Sequence, residues 1–460
     1  MKNITFHKNS ISAGKHAALM GQQGAVLWFT GLSASGKSTV ACETERMLHD
    51  AGYKTFLLDG DNLRFGLNSD LGFSDEDRDE NIRRIAETAK LMAEAGLVVL
   101  VSAISPKKAQ RDRARKTIER SAVFVEIFTD APVEVCAERD PKGLYKKACS
   151  GQLPGFTGVS APYEAPDLPD ITLKTDKTPV FDCAKKVYDY YVFLQNIDPL
   201  MKVLCTTAVE AGKKIMNIYE KGFSVEYKSD NSPLTDADKA ADRYINEVLA
   251  REYPGIARLS EETTDDLSRR DNDFCFIIDP LDGTREFVER NGEFTVNIGL
   301  VHCERAIAGV IYIPVTGELY YACTGRGSFR TTDKCPDVLF PEGERLSVSD
   351  RKDSLIVMRS RSHLDEKTKQ LIEDNKNSIS EVIISGSSIK GCRIAEGSAD
   401  TYYRFAYTYE WDTCAMQAIV ENAGGLLLQG DGSMMTYNRL NTLNDRGFVI
   451  ANRRDNIWTI

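Results

Sequence analysis

The stretch Gly31-Leu32-Ser33-Ala34-Ser35-Gly36-Lys37-Ser38-Thr39 constrains this chain more than any other. It has the spacing G-x-x-x-x-G-K-S. Before it runs Ala25-Val26-Leu27-Trp28-Phe29, a short apolar stretch of strand type. After it, Val40 to Ala51 reads as a helix carrying Met47 and Leu48. A strand, a glycine-rich turn and a helix start aim several backbone N–H groups and the positive end of a helix dipole at one point. A phosphate group fits that point, with Lys37 reaching the β- and γ-phosphates and the Ser38 hydroxyl facing Mg²⁺. A glycine-rich turn arising by chance would lack the flanking strand and helix. Residues 31–39 therefore read as a nucleotide site.

Three more strand candidates follow, Lys54 to Leu58, Leu97 to Ile104 and Val123 to Phe128, with helical stretches between them. This alternation predicts an α/β domain with a parallel sheet and helices on both faces, whose ligands bind beyond the carboxyl ends of the strands. The second strand ends in Asp59-Gly60-Asp61-Asn62-Leu63-Arg64. There Asp61 either accepts a proton from an attacking hydroxyl or holds Mg²⁺ through water, the alternative being a turn with solvated charges. Ser74 reads as an N-cap with acidic residues in the first turn, and Ile82, Ile85, Ala86 and Ala89 form the buried face of the helix. Arg78 falls near its start, within reach of an anion. The third strand ends at Ile104-Ser105-Pro106. The fourth leads to Arg139-Asp140-Pro141-Lys142-Gly143-Leu144-Tyr145 and then to a Gly/Pro-rich loop over residues 151–169, of lid-like length. Phe156 in that loop is a docking residue or a face for a base.

At 460 residues the chain exceeds one ordinary core, so two or three domains are expected. A net charge of −10 argues against a nucleic-acid backbone as partner. The longest apolar run is too short to span a membrane, and Met1-Lys2-Asn3-Ile4-Thr5-Phe6 lacks the apolar segment of a secretory signal. Eleven cysteines with no C-x-x-C pair favour reduced thiols in the cytoplasm over disulfides or a zinc site. Of five histidines, His7, His16 and His49 lie outside any motif, which leaves acid–base chemistry to carboxylates and metals.

An amphipathic segment from Pro179, bearing Val180, Ala184, Val187, Tyr188 and Tyr191, reads as a closing helix, and a new helix begins near Leu200. The boundary falls close to residue 197, giving domains 1–196 and 197–460. In the second, Phe276-Ile277-Ile278-Asp279-Pro280-Leu281-Asp282-Gly283-Thr284 delivers two carboxylates three residues apart from a buried strand into a turn. Both carboxylates and the Leu281 carbonyl can then face one centre, as an oxygen-preferring cation requires. Leu259-Ser260-Glu261-Glu262 adds acids at another strand end, and Asp412 heads a helical stretch after Trp411. Singly these are turns or caps. Together they point to a metal cluster.

The segments GLSASGKST, DGDNLRFGLNSDLGFSDEDRDENIRR, ISP, RDPKGLYKKA and GFTG…PYEAP resemble the adenylylsulfate (APS) kinase family over residues 5–178. The resemblance implies transfer of the γ-phosphate of ATP to the 3′-hydroxyl of APS, giving 3′-phosphoadenylylsulfate (PAPS). It implies that Asp61 is the base, that Arg64, Arg78 and Asn81 bind the phosphosulfate and ribose, and that Phe73 and Phe156 sandwich the adenine. Lys142 lies on a mobile loop over the nucleotides, and a homodimer is expected. Ser105 is counted with the nucleotide-binding residues; it matches a serine sometimes described as a phosphorylated intermediate, although in-line transfer needs no covalent step. Phe65, and Lys107-Lys108 after the proline, depart from the family pattern.

SPLTDAD, LSEE, DPLDGTREF and WDTCAMQAIVENAGG resemble the inositol-monophosphatase superfamily over residues 200–460, which implies an α+β layered domain. By that resemblance Glu261, Asp279, Leu281 through its carbonyl, Asp282 and Asp412 bind Mg²⁺ ions, while Thr284 and Asp238 position or deprotonate water. Asp282, Gly283, Thr284 and Asp412 also border the substrate phosphate. Tyr227–Thr235 and Arg285–Asn297 are closest to 3′(2′),5′-bisphosphate nucleotidases. In those, residues matching Arg361-Ser362-His363, Ser387-Ser388-Ile389-Lys390 and Arg404 contact the adenosine and the 5′-phosphate. The implied whole is a chain that installs the 3′-phosphate on APS and removes it from PAP, the by-product of PAPS use, with PAP preferred over PAPS. The other readings are an inositol-phosphate phosphatase, and a kinase half that only senses nucleotides.

Overall fold

Five strands frame the first unit: β1 (Ala25–Thr30), β2 (Thr55–Asp59), β3 (Val98–Ser102), β4 (Val123–Asp130) and β5 (Ile171–Lys174). They pair in parallel in the order β2-β3-β1-β4-β5. β1 and β3 are buried along their whole length, as central strands covered on both faces must be. From β1 the chain moves first to one side of the sheet and later to the other, so a ligand crevice opens at its carboxyl end. The helix after β1 runs Lys37–Asp50, three residues earlier than its apolar pattern indicates, because Gly36 at φ 95° caps it. Ser74 caps helix Asp75–Glu94, its Oγ accepting from the Asp77 N–H at 3.1 Å. That helix buries Ile82, Ile85, Ala86 and Ala89.

The computed structural model describes residues 10–119, 121–227, 233–332 and 343–458. The Met1–Phe6 segment, His7, and residues 228–232 of the run leading to Thr235 lie outside the described residues. The chain divides into two units, Met1–Asn196 and Ile197–Ile460. The second opens with helix Ile197–Lys221, which starts ahead of Leu200 because Pro199 sits in the first turn, where a missing N–H costs nothing.

A hairpin of β6 (Val225–Tyr227) and β7 (Pro233–Thr235) precedes helix Asp236–Glu252. The main sheet holds β8 (Ala257–Ser260), β9 (Phe274–Asp282), β10 (Thr295–His302), β11 (Arg305–Ile313), β12 (Glu318–Cys323), β13 (Gly327–Thr332) and β14 (Glu344–Arg345). They lie in reverse chain order, antiparallel except for β8 on β9. A second sheet orders β15 (Leu355–Ser360), β16 (Ile379–Ser385), β17 (Thr401–Arg404), β18 (Leu426–Gln429) and β19 (Phe448–Ala451) as β16-β15-β17-β19-β18.

Helix Glu410–Asn422 packs on β9 to β13 and also on β18, so its apolar residues join one core with both sheets. Its seat is cut by a glycine pair. Gly299 and Gly309 are cross-strand partners on β10 and β11. A Cβ on Gly299 would lie 2.4 Å from Cys414 Sγ, and one on Gly309 2.4 Å from the Ala415 carbonyl oxygen. The helix therefore rests on bare strand backbone, and this sets the height of Asp412 over the sheet. No helix among the described residues is long and apolar enough to cross a membrane.

Candidate active sites

In the first unit the phosphate loop closes on itself. Lys37 is buried and its Nζ donates to the carbonyl oxygens of Gly31 (3.0 Å) and Leu32 (2.6 Å). Burial pushes its ammonium down to about 8. Ser35 is turned inward, its Oγ 2.7 Å from Thr129 Oγ1, and Ala34 adopts a φ of 60°. Ser33 is half-buried and Thr39 exposed. Ser38 Oγ donates to Asp59 Oδ2 at 2.8 Å and lies 3.0 Å from Ser102 Oγ. Asp59, passed over in favour of Asp61 in the sequence, thus stands beside the hydroxyl expected to face Mg²⁺. Its other oxygen accepts from the Asp61 N–H at 3.0 Å, which fixes the turn that carries Asp61.

Asp61 is exposed and forms an ion pair with Lys142 from the later loop. Arg64 donates to the Gly72 (2.9 Å) and Leu71 (3.2 Å) carbonyl oxygens, and its guanidinium lies 4.4 Å over the Phe73 ring. Arg78 ties two loops together: it donates to the Phe73 carbonyl (3.0 Å), the Gly155 carbonyl (2.7 Å) and Thr157 Oγ1 (3.3 Å). Phe73 is 70% exposed, while Phe156 meets Tyr145 edge-on at 5.0 Å. Asn81 is buried and accepts from Asn68 Nδ2 at 2.9 Å. Ser105 corrects an expectation. It is 1% exposed, accepts from Trp28 Nε1 at 3.1 Å and donates to Thr30 Oγ1 at 3.0 Å. Its hydroxyl braces the ends of the strands from within and does not face the open site.

In the second unit a strand irregularity makes the site. Residues three apart on a regular strand point to opposite faces. β9 pairs Asp279 with Asn297 and Asp282 with Thr295, so Pro280 and Leu281 together oppose Val296 alone. This bulge, which also accommodates a proline lacking a ladder donor, turns Asp282 back to the side of Asp279. Carboxylate oxygens of Asp279, Asp282 and Asp412 come within 4.8 Å of one another. Burial, then the charges of Glu261, Asp282 and Asp412, push Asp279 well above the usual carboxylate range. Burial and Asp282 push Asp412 up to about 6. Such crowding of buried like charges suits a multivalent cation with oxygen ligands.

The supports of this cluster are local. Asp412 lies in the first turn of its helix, where Oδ2 accepts from the Tyr409 N–H at 2.6 Å. Asp282 Oδ2 accepts from Ser388 Oγ (2.7 Å) and Asn297 Nδ2 (3.3 Å), a positioning role the sequence does not assign to either residue. Asp238 Oδ2 accepts from the Thr235 N–H (2.7 Å) and hydroxyl (2.6 Å). Its Oδ1 accepts from Thr284 Oγ1 at 3.1 Å. That hydroxyl lies 3.3 Å from the Leu281 carbonyl oxygen. Burial raises Asp238 to about 6. Gly283, at φ 92°, caps the short helix Thr284–Val288.

Beside the carboxylates sits a cationic group. Lys390 is 1% exposed, donates to the Ser387 (2.5 Å) and Ser385 (3.3 Å) carbonyl oxygens, and is pushed down to about 8 by burial and then by Arg404. Desolvation, Arg404 and Arg285 hold the His363 imidazole down at about 4, although the residue as a whole is exposed. Arg404 Nε and Ser387 Oγ are buried without a hydrogen-bond partner. Arg361 is instead engaged with Glu293 through two 2.7 Å bonds.

The adenylylsulphate kinase family matches residues 23–174, and the inositol monophosphatase family matches residues 196–458. Adenylyl-sulfate kinase of Clostridium acetobutylicum is 50% identical over 188 residues, covering 41% of this chain and 93% of that protein. The Saccharomyces cerevisiae adenylyl-sulfate kinase is 51% identical over 191 residues, covering 41% and 94%. The crystal structure of CysQ from Bacteroides thetaiotaomicron, a bacterial member of the inositol monophosphatase family, is 41% identical with a TM-score of 0.51, covering 56% of this chain and 99% of that one. The chain therefore belongs to both families, an adenylylsulphate kinase in its first unit and an inositol-monophosphatase-family phosphatase in its second.

Proposed function

We propose that the first unit transfers the γ-phosphate of ATP to the 3′-hydroxyl of APS, and that the second hydrolyses the 3′-phosphate of PAP to leave AMP. The observation that carries the second half is the pairing of the Asp279–Asp282–Asp412 cluster with the cations Lys390 and Arg404. A substrate with one phosphate needs only the first. A nucleotide bisphosphate has a second anionic group for the second, where the unpartnered Arg404 Nε offers a buried donor.

In the kinase, Lys37 leaves its two loop carbonyls for the β- and γ-phosphates, Ser38 and Asp59 would hold Mg²⁺, and Asp61 accepts the proton of the 3′-hydroxyl. Arg64 and Arg78 bind the phosphosulfate, and the exposed Phe73 offers a stacking face to the adenine. In the phosphatase, Glu261, Asp279, the Leu281 carbonyl, Asp282 and Asp412 would hold Mg²⁺, which would supply a water of lowered pKa and offset charge on the phosphate. Asp238 orients the Thr284 hydroxyl toward the attacking water and takes up the proton that is released. Work on free nucleotides in a reducing cytoplasm is consistent with there being no disulfide among the ten described cysteines. A homodimer is the expected assembly.

Mass analysis of products from ATP plus APS, and separately from PAP, PAPS and inositol 1-phosphate, tests the proposal. PAPS should form in the first mixture, and PAP should be consumed faster than PAPS. Equal turnover of PAP and inositol 1-phosphate would overturn the nucleotide assignment.

A further inference from the structure

At the other end of β9 lies a second cluster that neither activity uses. Asp273 immediately precedes β9, His302 ends β10, and Cys303 begins the turn to β11. The separation from Asp279 along the strand is ~20 Å at the usual rise per residue. His302 pairs with Phe274 across the ladder, and the Cys303 N–H donates to the Asp273 carbonyl at 2.8 Å. Cys303 and Glu304 both take positive φ, 45° and 71°, the form of a two-residue hairpin turn. The result brings one sulfur, one imidazole and one carboxylate within 4.8 Å of one another. His302 is buried at 3% exposure, and Cys303 is partly open to solvent.

We propose that Asp273, His302 and Cys303 form a zinc site. Cys303 Sγ lies 3.5 Å from His302 Nε2 and 3.6 Å from Asp273 Oδ1. Zinc bound tetrahedrally, with bonds of about 2.3 Å to sulfur and about 2.0–2.2 Å to nitrogen and oxygen, spaces its ligands by about 3.6 Å. Both distances from the sulfur match that spacing, and the imidazole and carboxylate donors lie within 4.8 Å of each other; a water would complete a tetrahedron around the ion. Their chemistry also selects the ion. Thiolate and imidazole disfavour Mg²⁺ and Ca²⁺, and a carboxylate disfavours a purely soft ion such as Cu⁺. Binding releases the thiol proton to solvent and joins the start of β9 to the β10–β11 turn. No C-x-x-C pair announces the site, because strand pairing and not local spacing brings Asp273 to the other two.

The test uses the full chain, stripped of metal by a chelator and titrated with Co²⁺ as a spectroscopic substitute for Zn²⁺. The expected result is one equivalent giving a thiolate-to-cobalt charge-transfer band and visible bands of tetrahedral type, both abolished by added Zn²⁺. The Asp279–Asp282–Asp412 cluster has no sulfur, so cobalt held there cannot give that band. Cys303→Ser should abolish the band while PAPS formation and Mg²⁺-dependent phosphatase activity persist, which also shows that the variant is folded. Asp273→Asn should weaken binding by at least the roughly 10–100-fold that loss of a mere outer partner costs. A parent protein without the band, or a band unchanged in Cys303→Ser, overturns the proposal.

Discussion

At the phosphate loop the charged groups rest on partners of their own unit: Lys37 on the Gly31 and Leu32 carbonyls, Lys142 on Asp61, Ser38 on Asp59. At the β9 bulge buried carboxylates are pressed together, and burial and mutual repulsion raise Asp279 and Asp412 although Arg404 and Lys390 offset part of that charge at Asp412. In the first site the donors have protein partners that a nucleotide would have to replace. The second stores unfavourable charge that a cation removes. One chain thus shows two routes to handling phosphate, one by rearranging donors and one by prepared ligands.

The sharpest way to break the contrast is to exchange one charge in each unit. Asp279→Asn should lower PAP hydrolysis by about 10³-fold and leave PAPS formation unchanged, whereas Lys37→Ala should do the opposite; parallel assays of the two activities read this out. Asp61→Asn should lower kinase kcat by about 10²-fold with little change in the KM for ATP, as steady-state kinetics would show.

Stability gives a third comparison. Asp238 and Asp412 are raised to about 6 in the folded protein. Each therefore holds a proton more tightly folded than unfolded, and its contribution is present below about pH 4 and lost as pH rises through about 6. The metal-free second unit should lose on the order of 2 kcal/mol per group over that window, about 2–4 °C in midpoint per kcal/mol. Thermal scans with and without Mg²⁺ should show the loss disappear when the ion is present. The smallest expected effect is Gly299→Ala, which forces a methyl against Cys414 and should destabilise by about 1–3 kcal/mol. It should also raise the Mg²⁺ concentration needed for half-maximal phosphatase rate, with kinase kinetics unmoved.

Much of this was legible in the sequence for a physical reason. The phosphate loop, the Ser74 cap and the apolar spacing of Ile82 to Ala89 are local devices, complete within a few residues, and the structure builds them where the pattern places them. The convergence of Asp279 and Asp282 was legible from spacing, but its cause was not, because a bulge is defined by the partner strand. Ser105 faces inward because Trp28 and Thr30, more than seventy residues away, offer it partners. Asp59, Ser388 and Asn297 lie in stretches the sequence marks out, but their partnerships were not legible there, since these arise only when distant segments meet.

The Asp61–Lys142 ion pair ties the turn after β2 to the segment after β4. For Asp61 to serve as the proposed proton acceptor that pair must part, so the ammonium of Lys142 and the acceptor hydroxyl compete for one carboxylate.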